Sequence, residues 1–349
     1  MLTLAQMLRL AGLTTPPLNE RAALLGLVLP MLAAHPGIAS RSLEWHYARL
    51  SRAIELDQIK LYFDRLGRYC GYVWWTKAPE ELESRLLRYG SDALEANELS
   101  MEGEAWILDF RASLGELPNI LMDLRDSLSG QCDTLTYFRY KRGLRIAKRI
   151  TLDSKASFFH RASPAADSDE TGWLRSDKGK SSLSASTTFL EESITCGLIL
   201  ELFARLPSQA GMPLPAVFSR ILHALKARQC KLLRASNGEP QGFYSWAWRE
   251  VEELSPIKSP HEWELYEWRD GRDALVCDAI ATRSGADALR QELSTFAEGD
   301  WLLYPKSRSD ETPRLIPSHE WLSLPVPDAD IHDFTTLAVL PTEGLACES

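Results

Sequence analysis

The chain reads as a mixed α/β protein in which one domain occurs twice, on three observations. The stretch Gly71-Tyr72-Val73-Trp74-Trp75, with Gln58-Ile59-Lys60-Leu61 ahead of it, recurs as Gly242-Phe243-Tyr244-Ser245-Trp246 and Gln229-Cys230-Lys231-Leu232. Both recurrences lie 171 residues on, and sliding residues 25–75 by that offset gives 15 identities in 51 positions. Within each copy, helix-period segments give way to strand-period ones rich in β-branched and aromatic residues. Such a period is far too long for a solenoid unit, so each copy is a domain.

In the first copy, residues 1–18 form a short apolar helix closed by Thr14-Thr15-Pro16-Pro17. Asn19 can cap a helix over 20–34, whose nearly all-round apolar surface means burial, and His35-Pro36-Gly37 ends it. A third helix over 43–56 carries Leu43, Trp45, Leu50 and Ile54 on an inward stripe. Strands over 59–63 and 68–75 form a hairpin around Arg65-Leu66-Gly67. A charged helix over 79–97, a strand over 104–109, a helix over 114–128 and a strand over 134–140 complete the copy, within a domain of residues 1–150.

Residues 151–188 shift to Ser, Asp, Lys and Ala and read as a flexible linker. Its Gly179-Lys180-Ser181 lacks the glycine five residues earlier and the preceding strand of a phosphate loop. The second copy, 189–325, has helices over 190–205 and 214–228, a hairpin over 230–248, a strand over 274–281, a helix over 285–297 and a strand over 300–304. Residues 326–349 read as a C-terminal tail.

With 349 residues, 45% hydrophobic and 25% charged, each half can bury a core of its own. A net charge of −9 with no basic stripe argues against a nucleic-acid partner. Six scattered cysteines without a CxxC pair argue against a zinc site or a disulfide framework, and no metal is expected. The apolar run over 22–34 is too short to span a membrane, and the N-terminus lacks the pattern of a secretory signal, so a cytoplasmic protein is expected.

For chemistry, a carboxylate occupies the same place in each copy. Asp109 is expected to end the strand containing Trp106-Ile107-Leu108, and Asp278 the one containing Leu275-Val276-Cys277. Each precedes a glycine, Gly115 or Gly285, that opens a helix. A carboxylate so placed can orient a histidine or stabilise developing positive charge, although a loop-fixing aspartate looks the same in a sequence.

The chain resembles the bacterial lysine acyltransferases that activate RTX protoxins. The resemblance rests on Leu25-Gly26 and Cys196-Gly197 entering the first helix, and on Ala53-Ile54…Gln58 and Ala224-Leu225…Gln229. It rests also on the Gly-Tyr-x-x-Trp-like strand at 71–75, with Phe243 replacing the tyrosine in the second copy. A Trp-x-x-Gly stretch before the aspartate is clean as Trp268-Arg269-Asp270-Gly271 and weaker as Ser100-Met101-Glu102-Gly103.

The resemblance implies two tandem GNAT-like domains, each a mixed central sheet flanked by helices. The implied reaction moves a fatty acyl group from acyl carrier protein to a lysine of an acceptor such as a protoxin, with no permanently bound cofactor. The family pairs a histidine in the loop after the first long helix with the aspartate. Aligned without gaps, Ile38 and Gln209 stand at that place, and His35 lies three residues early.

On this basis His35 is the candidate base and Asp109 its orienter, with Asp278 the counterpart in a degenerate second copy. Tyr72, Trp74 and Phe243 are candidates to line the acyl groove. The competing expectation is a binding protein that has lost catalysis and holds an acyl carrier or other partner. A tandem chain could also pair its two copies with each other.

Overall fold

The computed structural model describes residues 2–13, 17–34, 40–64, 66–113, 115–141, 144–152, 178–249, 271–296, 302–303, 316–323 and 330–337. It divides into unit 1, Met1–Val28 with Trp45–Ser193, and unit 2, Leu29–Glu44 with Ile194–Ser349. In chain order the elements are β1 (Leu2–Thr3), α1 (Leu4–Leu10), α2 (Pro17–Ala33), α3 (Leu43–Glu55), β2 (Ile59–Phe63), β3 (Tyr69–Ala78) and α4 (Glu80–Tyr89). Then come β4 (Glu104–Ala112), α5 (Leu117–Leu128), β5 (Thr134–Lys141) and β6 (Leu144–Thr151). After these follow α6 (Lys178–Arg205), α7 (Pro207–Ala210), α8 (Leu214–Ala227), β7 (Cys230–Arg234), β8 (Pro240–Arg249), β9 (Asp273–Thr282) and α9 (Ala286–Ser294). The chain ends with β10 (Leu302–Leu303), β11 (Ile316–Pro317), α10 (Ser318–Leu322), β12 (Ile331–Asp333) and α11 (Phe334–Leu337).

Unit 1 is a six-stranded mixed sheet in the order β1-β2-β3-β4-β5-β6, with β4 and β5 the parallel neighbours. One face is covered by α5, whose Ile120, Leu121, Leu124 and Leu128 pack on Val73, Trp75, Ala105 and Ile107. Gly71 admits a close approach: a Cβ there would lie 2.1 Å from the Arg111 carbonyl oxygen. The strand contacts recur in unit 2, whose sheet runs β11-β10-β9-β8-β7, with β12 also on β9. There α9 packs through Leu289 and Leu293 on Tyr244, Val276, Ala279 and Ala281. In both units the glutamine before the hairpin accepts the tryptophan amide after it: Trp75 N to Gln58 O at 2.9 Å, Trp246 N to Gln229 O at 3.0 Å. Within unit 2 an isolated antiparallel bridge joins Ser42 to Pro213, two positions that also differ by the 171-residue offset.

The structure departs from expectation in several places; besides α4 ending at Tyr89 where a helix to residue 97 was expected, four stand out. First, α6 starts at Lys178, so residues 178–188 are helical where a linker was expected. This Ser-rich segment is a poor helix former by itself and extends a helix already fixed by buried Leu190, Ile194, Leu198 and Leu202. Second, unit 1 gains the edge strand β6, paired with β5 along its whole length. Third, part of the expected C-terminal tail is structured, because Phe334 packs on Trp321 with ring centroids 5.5 Å apart. Fourth, Asp109 and Asp278 lie inside β4 and β9 and do not end them. Residues 153–177, His35, the tripeptide at 268–270 and the breaker at 325–327 lie outside the described residues.

Five described cysteines are free thiols. Burial pushes Cys196 up to about 12, and burial first among several causes pushes Cys70 up to about 11, so these thiols are protonated packing groups. Among the described residues no helix is long and apolar enough to cross a membrane, and no cluster of three His, Cys, Asp or Glu could hold a metal ion.

Candidate active site

A β-bulge places each of the two aspartates. In β4 the register steps from Trp74↔Asp109 to Trp75↔Ile107, leaving Leu108 as the extra residue. Ala105 and Ile107 therefore face α5, and so do Phe110 and Ala112, a phase jump of one residue. The jump turns Asp109 onto the sheet face away from α5, beside Trp74. Unit 2 repeats the device: Ser245↔Asp278 steps to Trp246↔Val276, with Cys277 extra. Ala274 and Val276, then Ala279 and Ala281, face α9, and Asp278 faces the other way.

What each aspartate meets there differs. In unit 1 the Tyr72 hydroxyl donates to Asp109, and the Phe110 amide donates to the same carboxylate at 2.8 Å. Asp109 remains partly exposed. Arg49, from α3, does not lie against it in an ion pair; its guanidinium stacks over Trp45 at 4.1 Å and Trp74 at 4.9 Å and donates to the Ser91 carbonyl at 2.9 Å. In unit 2 the residue 171 positions on, Arg220, forms a two-pronged ion pair with Asp278, one prong through Nε at 3.1 Å. Ser245 Oγ donates to the same carboxylate at 2.6 Å, and Asp278 is 1% exposed.

A second carboxylate, Asp333, belongs to the unit 2 cluster. Gln209 donates to Asp333 Oδ2 at 3.2 Å, and Asp333 also accepts from the Thr335 amide at 3.1 Å. Burial lowers the Arg220 pKa, and the charge of Asp333 is the first influence opposing that. A guanidinium cannot act as a base at accessible pH, and here both of its prongs are committed to the Asp278 carboxylate.

The sheet edge beside each aspartate differs too. β4 pairs with β5 only through Ala105, Trp106 and Ile107. Among the described residues no strand pairs with Phe110, Arg111 or Ala112 on the side away from β3, so β4 and β5 part just where Asp109 sits. In unit 2, β10 pairs with Leu275 and Val276, and β12 pairs further along that edge with Ile280, Ala281 and Thr282, with Asp333 opposite Ile280 and Ile331 opposite Thr282. The C-terminal segment therefore occupies in unit 2 the edge that is open in unit 1.

The candidate groove residues are interior: Tyr72 and Phe243 are 0% exposed and Trp74 3%. Tyr72 holds Asp109, Phe243 contributes a ring contact with Phe203 at 5.9 Å, and Trp74 is the platform for Arg49. Arg220 and Asp333 were missed in the sequence. Arg49 and Arg220 are one of the 15 identities and could have been singled out, whereas Asp333 lies in a segment with little pattern.

Burial, then the charge of Asp109 and the bond to it, raises the Tyr72 pKa far above the ordinary phenol value of 10.0. The unfolded chain ionises this phenol above about pH 10 and the folded chain does not. The stabilisation is therefore complete below pH 10 and is lost as pH rises, by about 1.4 kcal/mol per pH unit for each such tyrosine. Tyr72→Phe is expected to make the alkaline fall in unfolding free energy shallower by one group, read from urea titrations between pH 9 and 11. An unchanged slope would place Tyr72 in a different environment.

A comparison with curated proteins finds no match. The cluster of a bulge-set aspartate, its hydrogen-bonding partners and the flanking hairpin in unit 2 falls in a segment with a known relative: residues 189–308, about a third of the chain, match the model of the RTX toxin acyltransferase family, HlyC.

Proposed function

We propose that this protein is a toxin-activating acyltransferase whose reaction centre lies in unit 1, and that its two units are divergent copies of one GNAT-like domain. The family match at 189–308 supports the reaction class. The observation that carries the choice of unit is the pairing of a partly exposed, Tyr72-held Asp109 with an open β4 edge. An extended acyl-donor arm with amide groups can pair with such an edge. Asp278 is the buried partner of Arg220, which makes it a structural carboxylate.

The donor in this reading is a fatty acyl thioester on acyl carrier protein, and the acceptor is a lysine ε-amine of a protoxin. The neutral amine attacks the thioester carbonyl carbon, the C–S bond breaks, and an amide forms. The amine proton passes to a base and then to the departing thiolate. We assign the base to His35 on its sequence position alone, with Asp109 as orienter and Tyr72 as the residue positioning Asp109.

The test is co-expression of the full chain with acyl carrier protein and the protoxin of a neighbouring gene, followed by intact-mass measurement of the acceptor. An added fatty acyl mass that depends on this chain supports the reading. No added mass with any neighbouring acceptor would overturn it.

A further inference from the structure

We propose that the β5–β6 hairpin of unit 1 is the docking surface for the acidic acyl carrier protein, an inference that rests on the acyl-transfer reading above. Residues 134–151 hold six Lys or Arg and no Asp or Glu, a local basic stretch that the expectation of no basic stripe passed over in a chain of net charge −9. The described cations of the hairpin divide between two faces. Arg145 and Arg149 are spent on the fold: Arg145 donates to the Leu87 and Arg88 carbonyls at 3.4 and 2.9 Å, and Arg149 pairs with Glu83 of α4.

The other face is different. Arg139 stands opposite Ile146 and Lys148 opposite Tyr137, which puts Arg139, Ile146 and Lys148 side by side on one face. All three are exposed, and among the described residues neither cation has a carboxylate partner. Further along this face Leu135, Tyr137 and Ile150 run into the α5 core, so the three exposed residues form its outer end.

An apolar side chain flanked by two free cations fits an acidic helix that has an apolar stripe, the surface a small acidic carrier presents. The position suits the same partner. The hairpin borders the gap where β4 and β5 part, and a flexible arm from a carrier seated here can enter that gap and reach Asp109 on the opposite sheet face. Long-range attraction to this patch would also offset the repulsion between an acidic carrier and an acidic enzyme, and it would weaken with salt.

The experiment measures binding of acyl carrier protein to the full chain by fluorescence anisotropy, separately from transfer. The double reversal Arg139→Glu/Lys148→Glu is expected to weaken binding at least about tenfold at low salt, and to flatten its salt dependence. The milder Arg139→Gln/Lys148→Gln variant, checked for an unchanged unfolding midpoint, should fall between the two. Wild-type affinity in both variants would overturn the proposal. So would a wild-type chain that binds phosphatidylserine vesicles through these residues but not the carrier. The two readings fail separately. Transfer that persists with carrier binding unaffected by the variants removes the docking surface and leaves the enzyme. Carrier binding lost in the variants, with no acyl mass on any acceptor, removes the enzyme and leaves the docking surface.

Discussion

Asp109→Asn is expected to lower acyl transfer by about 100- to 10,000-fold, the range lost when a positioned acid–base group is removed. The amide is nearly isosteric with the carboxylate and still accepts from the Tyr72 hydroxyl, so the fold should be kept. What it cannot do is hold an imidazole in the base form or stabilise the charge that develops as the amine attacks. The matching Asp278→Asn change should leave the rate within about twofold, because Arg220 already denies that carboxylate to any substrate. The rates are read from initial velocities of acyl transfer with both variants shown folded by thermal unfolding. Equal loss in the two variants would assign the chemistry to both units. Loss in Asp278→Asn alone would move it to unit 2.

Arg220→Met is expected to cost about 3–5 kcal/mol, the penalty for leaving a buried carboxylate without its counter-charge. Both partners lie almost wholly inside, with side chains 6% and 1% exposed, so solvent cannot take over the role of the guanidinium. Asp333 would lose the same neighbouring cation. The loss should appear in urea unfolding followed by a probe within unit 2, since the two units need not melt together. The double change Arg220→Met/Asp278→Leu removes both charges and should recover most of the stability, because an apolar pair of similar volume avoids the desolvation penalty. A single change near zero would mean that the pair adds nothing to the fold. The equivalent Arg49→Met in unit 1 breaks stacking on Trp45 and Trp74 and should cost less.

Much of the architecture was legible residue by residue. The apolar surface of 20–34 marked a buried helix, and Ala22, Ala23, Leu25, Val28 and Leu29 are indeed interior. A change of period into runs rich in β-branched and aromatic residues marked the hairpins at 59–75 and 230–248, where β2–β3 and β7–β8 pair. The two aspartates were found from their equal placement, yet their setting was misjudged. An apolar run read locally cannot show that one residue is bulged out, because a bulge is defined by pairing with a strand more than thirty residues away. The helical start of α6 at Lys178 was hidden for a related reason: its own residues disfavour helix, and the buried half of the helix carries them along.

By itself the sequence determined the 171-residue offset, the order of helices and strands around it, and the two aspartates as the groups to watch. Only the tertiary structure decided what those aspartates are. The bulges at Leu108 and Cys277 turn both side chains across the sheet, and then packing separates their fates. One arginine stacks on tryptophan and leaves Asp109 to Tyr72 and the open strand edge; its counterpart, with Ser245 where a tryptophan stands in unit 1, closes on Asp278. β12, from a segment with little pattern, pairs with Ile280, Ala281 and Thr282 on the corresponding edge in unit 2. The same residue types at the same spacing thus become an accessible carboxylate in one unit and a buried ion pair in the other, because the neighbours that decide between the two come from distant parts of the chain.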